Sequence, residues 1–599
     1  MIDLAPAIQG VTITDNGTLH FRTWAPHAKA VALTGSFNKW SKKGIPLEAE
    51  ENGNWFLATD QAQVGDEYQF IITTQNGDQL FRNDPYCRQL TNSDGNAIIY
   101  NDDAFDWNED NYVLPAWNEL VIYEMHIGTF NVVEEGKPGT FATAIKRLDY
   151  LEELGINVVE VMPINEFAGD YSWGYNPAYP YAVEEAYGGP DALKEFVKAC
   201  HQRGIGVILD VVYNHFGPSD LGLWQYDGWS ENDKGGIYFY NDWRSDTPWG
   251  DTRPDYGRNE VRSYIHDNAM LWLDKYHCDG LRMDMIPYMR SVNGSESPGD
   301  DIPEGYSLLK WINDSVNERF PGKITIAEDL HGNNFVTDST SDGGCGFGAQ
   351  WDADFVHPIR KVLIEAEDDN RNMEAISTAM LRRYGDDAFS RVIYTESHDE
   401  VANGQARVAE EIAGNNENVN NYYSIKRSAL GVLLTLTTPG IPMLFQGQAL
   451  LEDKWFSDQD PLDWSKLNRF CGVNNLHRDM IKLRRNQPGL QGQHTMILHA
   501  HPENKVLAFM RWNEDPLTDG VLVIMNFSNQ TFENYEFGAN YEQNWKLCLN
   551  SDWAGYSDEN NDTPVAGLLE TSSEAYNDHP FRIKVNIAAY GGYVFCHSC

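Results

Sequence analysis

The sequence predicts a multidomain protein: a central (β/α)8 TIM barrel with a β-sandwich on either side. Three observations predict it. Apolar strands alternate with amphipathic helices through the middle of the chain, which implies a parallel sheet, and eight such units suggest a closed barrel. Short alternating strands separated by turn signals fill residues 1 to about 105. Strand-like runs return after about residue 480, where the helices are expected to stop. The chain has 599 residues, and at roughly 100–200 residues per domain that length calls for three or more domains.

The elements follow in order. LHFRTW, AVALTG, NWFLAT and YQFIIT are separated by DNG, ENGN and QNGD turns, the pattern of a small β-sandwich. Trp24, Trp40, Trp55, Tyr68 and Phe70 lie in or beside these runs, where core packing is the ordinary use of an aromatic. VIYEM (121–125), NVVEVM (157–162), IGVILDVV (205–212), CDGLRMD (278–284), KITIAE (323–328), AQWDADF (349–355), RVIYT (391–395) and GIPMLF (440–445) are the eight barrel strands. Helices are expected over 190–203, 259–275 and 304–319 between them. KVLAFMRW, GVLVIMNF and FRIKVNIAAY belong to the second sandwich. The boundaries read as 1–110, 111–475 and 476–599.

Composition narrows the function classes. The formal net charge is −44, which repels phosphate backbones and anionic lipids, so nucleic acid and membrane are poor partners. A neutral polysaccharide needs no charge complementarity. The eight cysteines form no regular framework and fit reduced thiols; Cys596 and Cys599 make a C-x-x-C without a helix start or a second ligand pair. The first residues, MIDLAPAIQG, carry no basic start or apolar stretch, and no long apolar run occurs, so a cytoplasmic location is expected.

Catalytic groups of such barrels sit at the C-terminal strand ends. Here the third strand ends Asp210-Val-Val-Tyr-Asn-His215, the fourth Arg282-Met-Asp284 and the fifth Glu328-Asp329, while Glu396-Ser-His398-Asp399 follows the seventh. One such Asp is commonly a cap or a loop contact. Four ends converging on one face imply function, because crowded carboxylates cost stability. Glycosidic cleavage needs two carboxyl groups, one protonated and one ionised. Arg282 shares a strand face with Asp284 and would hold it ionised, which suits a nucleophile. Glu328 has no cation beside it in sequence and can keep a raised pKa as acid and base. Asp399 is the candidate third carboxylate, and His215 and His398 could donate to sugar hydroxyls.

Read together, DVVYNH (210–215), DGLRMD (279–284), IAED (326–329) and SHDE (397–400) resemble the four motifs of the α-amylase superfamily of glycoside hydrolases and transferases. The resemblance implies Asp284 as nucleophile, Glu328 as general acid/base and Asp399 as the residue that distorts the sugar ring. It places Asp210, His215, Arg282 and His398 in the innermost glucose site, with Tyr175 of SWGYNP (172–177) stacked beneath the glucose. GSFNKW (35–40) looks like part of a starch-binding-type module. YEMHIGTF (123–130), SHDEV (397–401) and LNSDWAGYSD (549–558) are similar to bacterial glucan branching enzymes. The stretch 187–218 looks more like malto-oligosyltrehalose trehalohydrolase, and DQDPLDW (458–464) like an amylase. The expected activity is a retaining 1,4-α-glucan branching reaction on starch, glycogen or maltooligosaccharides. A cytosolic hydrolase of amylase, debranching or trehalohydrolase type and an inactive glucan-binding protein are the alternatives. No cofactor is expected: Asn214 matches a calcium ligand of many amylases, but one Asn cannot supply six oxygens.

The loop after the third strand carries Trp224, Tyr226, Trp229, Tyr238, Tyr240, Trp243 and Trp249. It is either an outer wall for stacking glucose or a self-packed loop with its own core. GGCGFG (343–348) does not open a helix after a strand and is no nucleotide fingerprint.

Overall fold

A computed structural model of the chain describes residues 8–414 and 419–597; Cys599 of the C-x-x-C lies outside them. Two antiparallel sheets form the N-terminal sandwich. One contains Gly10–Ile13, Leu19–Trp24, Asn54–Thr59 and Glu48–Ala49, the other Ala30–Gly35, Glu67–Thr73 and Gln79–Arg82. Alternation sends Leu19, Phe21, Leu33 and Phe70 inward.

The barrel closes through eight parallel strands in sequence order: β1 (Ile122–Met125), β2 (Val158–Val161), β3 (Gly206–Val211), β4 (Gly280–Met283), β5 (Ile324–Ala327), β6 (Ala349–Trp351), β7 (Arg391–Ile393) and β8 (Ile441–Phe445), with β8 back against β1. Helices α1 (Gly189–His201), α2 (Asn259–Asp274), α3 (Pro287–Arg290), α4 (Pro303–Arg319) and α5 (Tyr422–Thr437) lie between them. The α1 stripe Leu193, Phe196, Val197 and Cys200 is buried, as its three- and four-residue spacing requires.

Two local readings are corrected, and one hairpin is added. The run AQWDADF is strand only to Trp351, and a helix begins at Ala353. Asp352 sits at the turn because its buried carboxylate pairs with Arg391 of β7 at 3.0 Å. A hairpin, Asn165–Phe167 with Pro177–Val183, follows β2 and carries Tyr175 in its connection. Helix α6 (Cys471–Asn486) continues past 480 because Val473, Leu476, Met480 and Ile481 keep burying one face. Beyond it, six strands form one sheet and Phe532–Ala539 pairs with Phe581–Ile587 in another. Leu522, Ile524, Trp545 and Phe595 share the core between them. A buried Lys426–Asp552 ion pair ties this domain to α5.

The aromatic loop after β3 is largely self-packed. Tyr226, Tyr238 and Tyr240 are buried, and only Trp243 and Trp249 are exposed, at 59% and 39%. It also rests on the N-terminal sandwich. Thr23 Oγ1 lies 2.9 Å from the Tyr226 hydroxyl, His27 Nδ1 3.0 Å from Asp227, and Arg82 Nε donates to Tyr226 O at 3.1 Å.

Candidate active site

Register brings the polar strand ends to one level. Asp210 of β3 lies beside Arg282 of β4, and Asp284 and Glu328 each stand one residue past the paired Met283 and Ala327. Arg282 is the hub, with its side chain fully buried. Nη1 donates to Asp210 Oδ2 at 2.6 Å and to Asp284 Oδ1 at 3.2 Å. Nη2 lies 2.6 Å from Glu328 Oε2, without the alignment of a hydrogen bond. No cation adjoins Glu328 in sequence, but folding brings it the same guanidinium that Asp284 uses, from the adjacent strand.

Glu328 is nonetheless raised. Burial pushes its carboxyl up to about 8, Arg282 pulls the other way, and the charges of Asp284 and Asp399 add to the rise. The Met285 N–H donates to Oε2 at 2.9 Å, which fixes the carboxyl beside the residue that follows Asp284. Asn214 Nδ2 donates to Asp284 Oδ2 and to its carbonyl, both at 2.7 Å. Burial also pushes Asp210 up to about 7, against the pull of Arg282. A carboxyl protonated at neutral pH beside an arginine-paired carboxylate is the combination that glycosidic cleavage uses.

The rest of the predicted set closes around these groups. The Tyr175 hydroxyl donates to Asp210 Oδ2 at 2.5 Å, and its half-exposed ring stacks on His398 at 4.9 Å. Gly174 precedes it at φ +95, where a Cβ would stand 2.1 Å from Pro163 O, so only glycine permits this approach. His215 Nε2 lies 2.9 Å from Tyr175 O, and burial pulls its imidazole below the ordinary value. Burial pulls His398 down too, but Asp399 and Glu124 outweigh it and push the imidazole up to about 10. Asp399 is 48% exposed, with Oδ2 3.5 Å from His398 Nε2. All eight residues singled out in the sequence thus meet in one cluster.

Sequence reasoning missed three neighbours. Glu124 of β1 holds His398 through Nδ1 at 2.5 Å and through the backbone N–H at 3.1 Å. Glu160 of β2 is buried with neither carboxyl oxygen bonded, and burial raises it well above the carboxylate range. An acid inside an apolar barrel strand was the available signal for both. Trp249 stacks on His215 at 4.6 Å, and Tyr288 meets its edge at 5.1 Å; one tryptophan among seven loop aromatics gave no such signal.

Asn214 is occupied by Asp284 and His215 and offers no open ligand set. Among the described residues, Glu296, Asp329 and His331 bring potential ligand atoms within metal-binding reach of one another. Arg290 already binds Glu296 at 2.5 Å and Asp329 at 3.0 Å, so a guanidinium supplies the positive charge there. No helix of the described residues is long and apolar enough to cross a membrane.

Fold and site together define a carbohydrate-active barrel enzyme of the glycoside hydrolase and glycosyltransferase class. Residues 86–243 and 221–485 match the profile of the alpha amylase catalytic domain, residues 9–87 that of carbohydrate-binding module 48 (isoamylase N-terminal domain), and residues 497–598 that of the alpha amylase C-terminal all-beta domain. The chain belongs to the α-amylase family. It is 30% identical to 1,4-alpha-glucan branching enzyme GlgB 2 of Xanthomonas oryzae pv. oryzae, over 95% of this chain and 80% of that protein. It is 29% identical to 1,4-alpha-glucan branching enzyme GlgB of Corynebacterium diphtheriae, over 96% of this chain and 80% of that one. A pullulanase of Anoxybacillus sp., solved in complex with maltotetraose, shares the fold with a TM-score of 0.74 at 20% identity, over 98% of this chain and 87% of that one.

Proposed function

We propose that this protein is a 1,4-α-glucan branching enzyme acting on starch- or glycogen-like chains and maltooligosaccharides. Asp284 attacks the anomeric carbon and forms a C1–O bond, while Glu328 gives its proton to the departing chain's O4 as the C1–O4 bond breaks. A 6-hydroxyl of another chain then attacks C1, its proton passes to Glu328, and Asp284 leaves as a carboxylate. Asp399 and His398 grip the hydroxyls of the reacting glucose, Tyr175 supports its apolar face, and Asp210, His215 and Arg282 complete that subsite. The chemistry needs no cofactor or metal.

The observation that carries the reading is the shared guanidinium: Arg282 contacts Asp284 and Glu328 together, while burial pushes the Glu328 carboxyl up, toward the acid form. Transfer rather than hydrolysis is supported by the near full-length similarity to relatives named branching enzymes. A reducing cytoplasmic setting fits the free cysteines, of which Cys87, Cys200, Cys278, Cys345 and Cys596 are buried.

Incubation with amylose tests the acceptor. New α-1,6 linkages with little new reducing sugar are expected. Reducing ends without new linkages would instead make the protein a hydrolase, and inert amylose would leave only glucan binding.

A further inference from the structure

A cavity of about 330 Å³, lined by Arg290, Asp301, Ile302, Pro303, Tyr306 and Phe335, lies behind the Asp329–Arg290 pair that follows Glu328 in the chain. We infer that this cavity holds glucosyl units of the leaving chain in the first step and of the acceptor chain in the second, and so sets the enzyme's preference for long chains on that side.

Its position follows from three connections. Glu328 is continuous with Asp329, whose buried carboxylate takes Arg290 Nε at 3.2 Å and Nη2 at 3.0 Å. Arg290 stands in α3, the short helix that begins three residues after Asp284. Its guanidinium then lies 5.0 Å over the Phe335 ring, and Tyr306 meets Phe335 edge to face at 6.2 Å. The cavity is therefore separated from the acid/base carboxyl by one layer of side chains, on the side where Glu328 stands.

Its chemistry suits a glucan. Phe335, Tyr306, Ile302 and Pro303 offer apolar surface for the C–H faces of glucose, while the buried Arg290 and the exposed Asp301 offer polar atoms for hydroxyls. The surface is preset. Arg290 is clamped between Asp329 and Glu296, the Tyr306 hydroxyl donates to Gly343 O, and Val336 next to Phe335 is fully buried. A metal ion is a poorer occupant, since the guanidinium holds the acids that would bind it.

One physical argument joins the two roles. Glu328 protonates the leaving oxygen and later deprotonates the incoming one, so both chains must cross the same side of the site. Long leaving chains and long acceptors should both depend on the cavity, while a leaving group as small as fluoride should not. The acceptor role rests on the transfer reading proposed above; the leaving-chain role does not.

The test compares cleavage of a maltooligosyl fluoride with cleavage of a maltooligosaccharide carrying the same donor part, in the native protein and in Phe335→Ala. The ratio of kcat/KM for the long over the small leaving group should fall roughly tenfold, the scale of losing one well-packed pocket contact. Phe335→Trp should restore it. Asp301→Trp, an exposed rim substitution that fills the cavity and removes no packed group, should lower the same ratio if Phe335→Ala does not fold. With the fluoride as donor and a maltooligosaccharide acceptor varied, acceptor KM should rise and hydrolysis should gain on transfer. A ratio within twofold of native in folded Phe335→Ala or Asp301→Trp overturns the inference. A native protein that never transfers overturns the branching reading alone, because the cleavage ratio still reports on the cavity.

Discussion

At Glu328 two electrostatic effects oppose one another. Arg282 at 2.6 Å favours the carboxylate, while burial and two neighbouring acids favour the carboxylic acid, and the acid prevails up to about pH 8. The first step needs that proton, so kcat/KM should fall as pH rises through about 8. Glu328→Gln keeps the shape but has no proton to give. It should lose about 10²–10⁴-fold on a maltooligosaccharide, and much less on a glycosyl fluoride, whose leaving group needs no acid. Asp284→Ala should lose comparable activity with both donors, because the covalent bond itself is gone. Near-normal kcat in either purified, folded variant would remove that residue from its role.

The linker between the sandwich and β1 shows how an element is held by a few charges. Asp110 Oδ2 takes His277 Nδ1 at 2.8 Å and His201 Nδ1 at 2.9 Å, and His201 Nε2 reaches Asp279 at 3.0 Å. Trp107 stacks on His277 and Tyr112 on His201, at 3.9 and 4.5 Å. Burial pulls His201 down, but Asp279 and Asp110 outweigh it and leave the imidazole raised. Its contribution is therefore complete below the unfolded value of about 6.5 and is lost as pH climbs through the folded value. Burial works against Asp110, but both histidines hold its carboxyl low, so its share is present above about 3.9 and is lost on further acidification. At His277 burial wins and lowers the imidazole, so this group works the other way and subtracts stability as pH falls below about 6.5. Asp110→Asn should lower Tm most between about pH 4 and 6.5 and least near pH 9. Thermal unfolding of both proteins across that range checks this, and a pH-independent difference would mean that packing alone holds the linker.

Across the whole molecule, the N-terminal sandwich is positioned to brace the barrel through the aromatic loop. Trp24 is buried, donates Nε1–H to Asn52 O at 3.2 Å and meets Tyr238 of the loop at 5.6 Å. The same loop presents Trp249 over His215. Trp55 is likewise packed, with Nε1–H on Ala25 O at 3.1 Å. Trp40 is half-exposed, in a left-handed conformation at φ 57. The two kinds of tryptophan should separate in experiment. Trp24→Ala should cost about 3–5 kcal/mol and lower activity on short and long glucans alike, by loosening the loop. Trp40→Ala should leave Tm in place and weaken action on long glucans more than on maltooligosaccharides, since a second tethered site helps only a chain that spans both. Equal losses on both lengths in folded Trp40→Ala would leave the sandwich a brace and nothing more.

The sequence by itself determined the layered architecture and the identity of the central cluster. Strand period, helix period and turn residues are local, and each motif carries its polar group at a strand end whose level the barrel register then sets. That is why Asp210, Arg282, Asp284 and Glu328 could be named before any contact was known. Contacts between distant segments were decided only by the tertiary structure. Arg282 reaches Glu328 because adjacent strands lie in register, not because of anything near Glu328 in the chain. Glu124 supports His398 across 274 positions of sequence, through closure of β8 onto β1. Loop aromatics look alike in sequence, and only packing against Thr23 and Trp24 separated buried Tyr226 and Tyr238 from exposed Trp249. The cavity beside Arg290 exists because α3, α4 and the segment after β5 meet around it, and no local pattern encodes the space they leave.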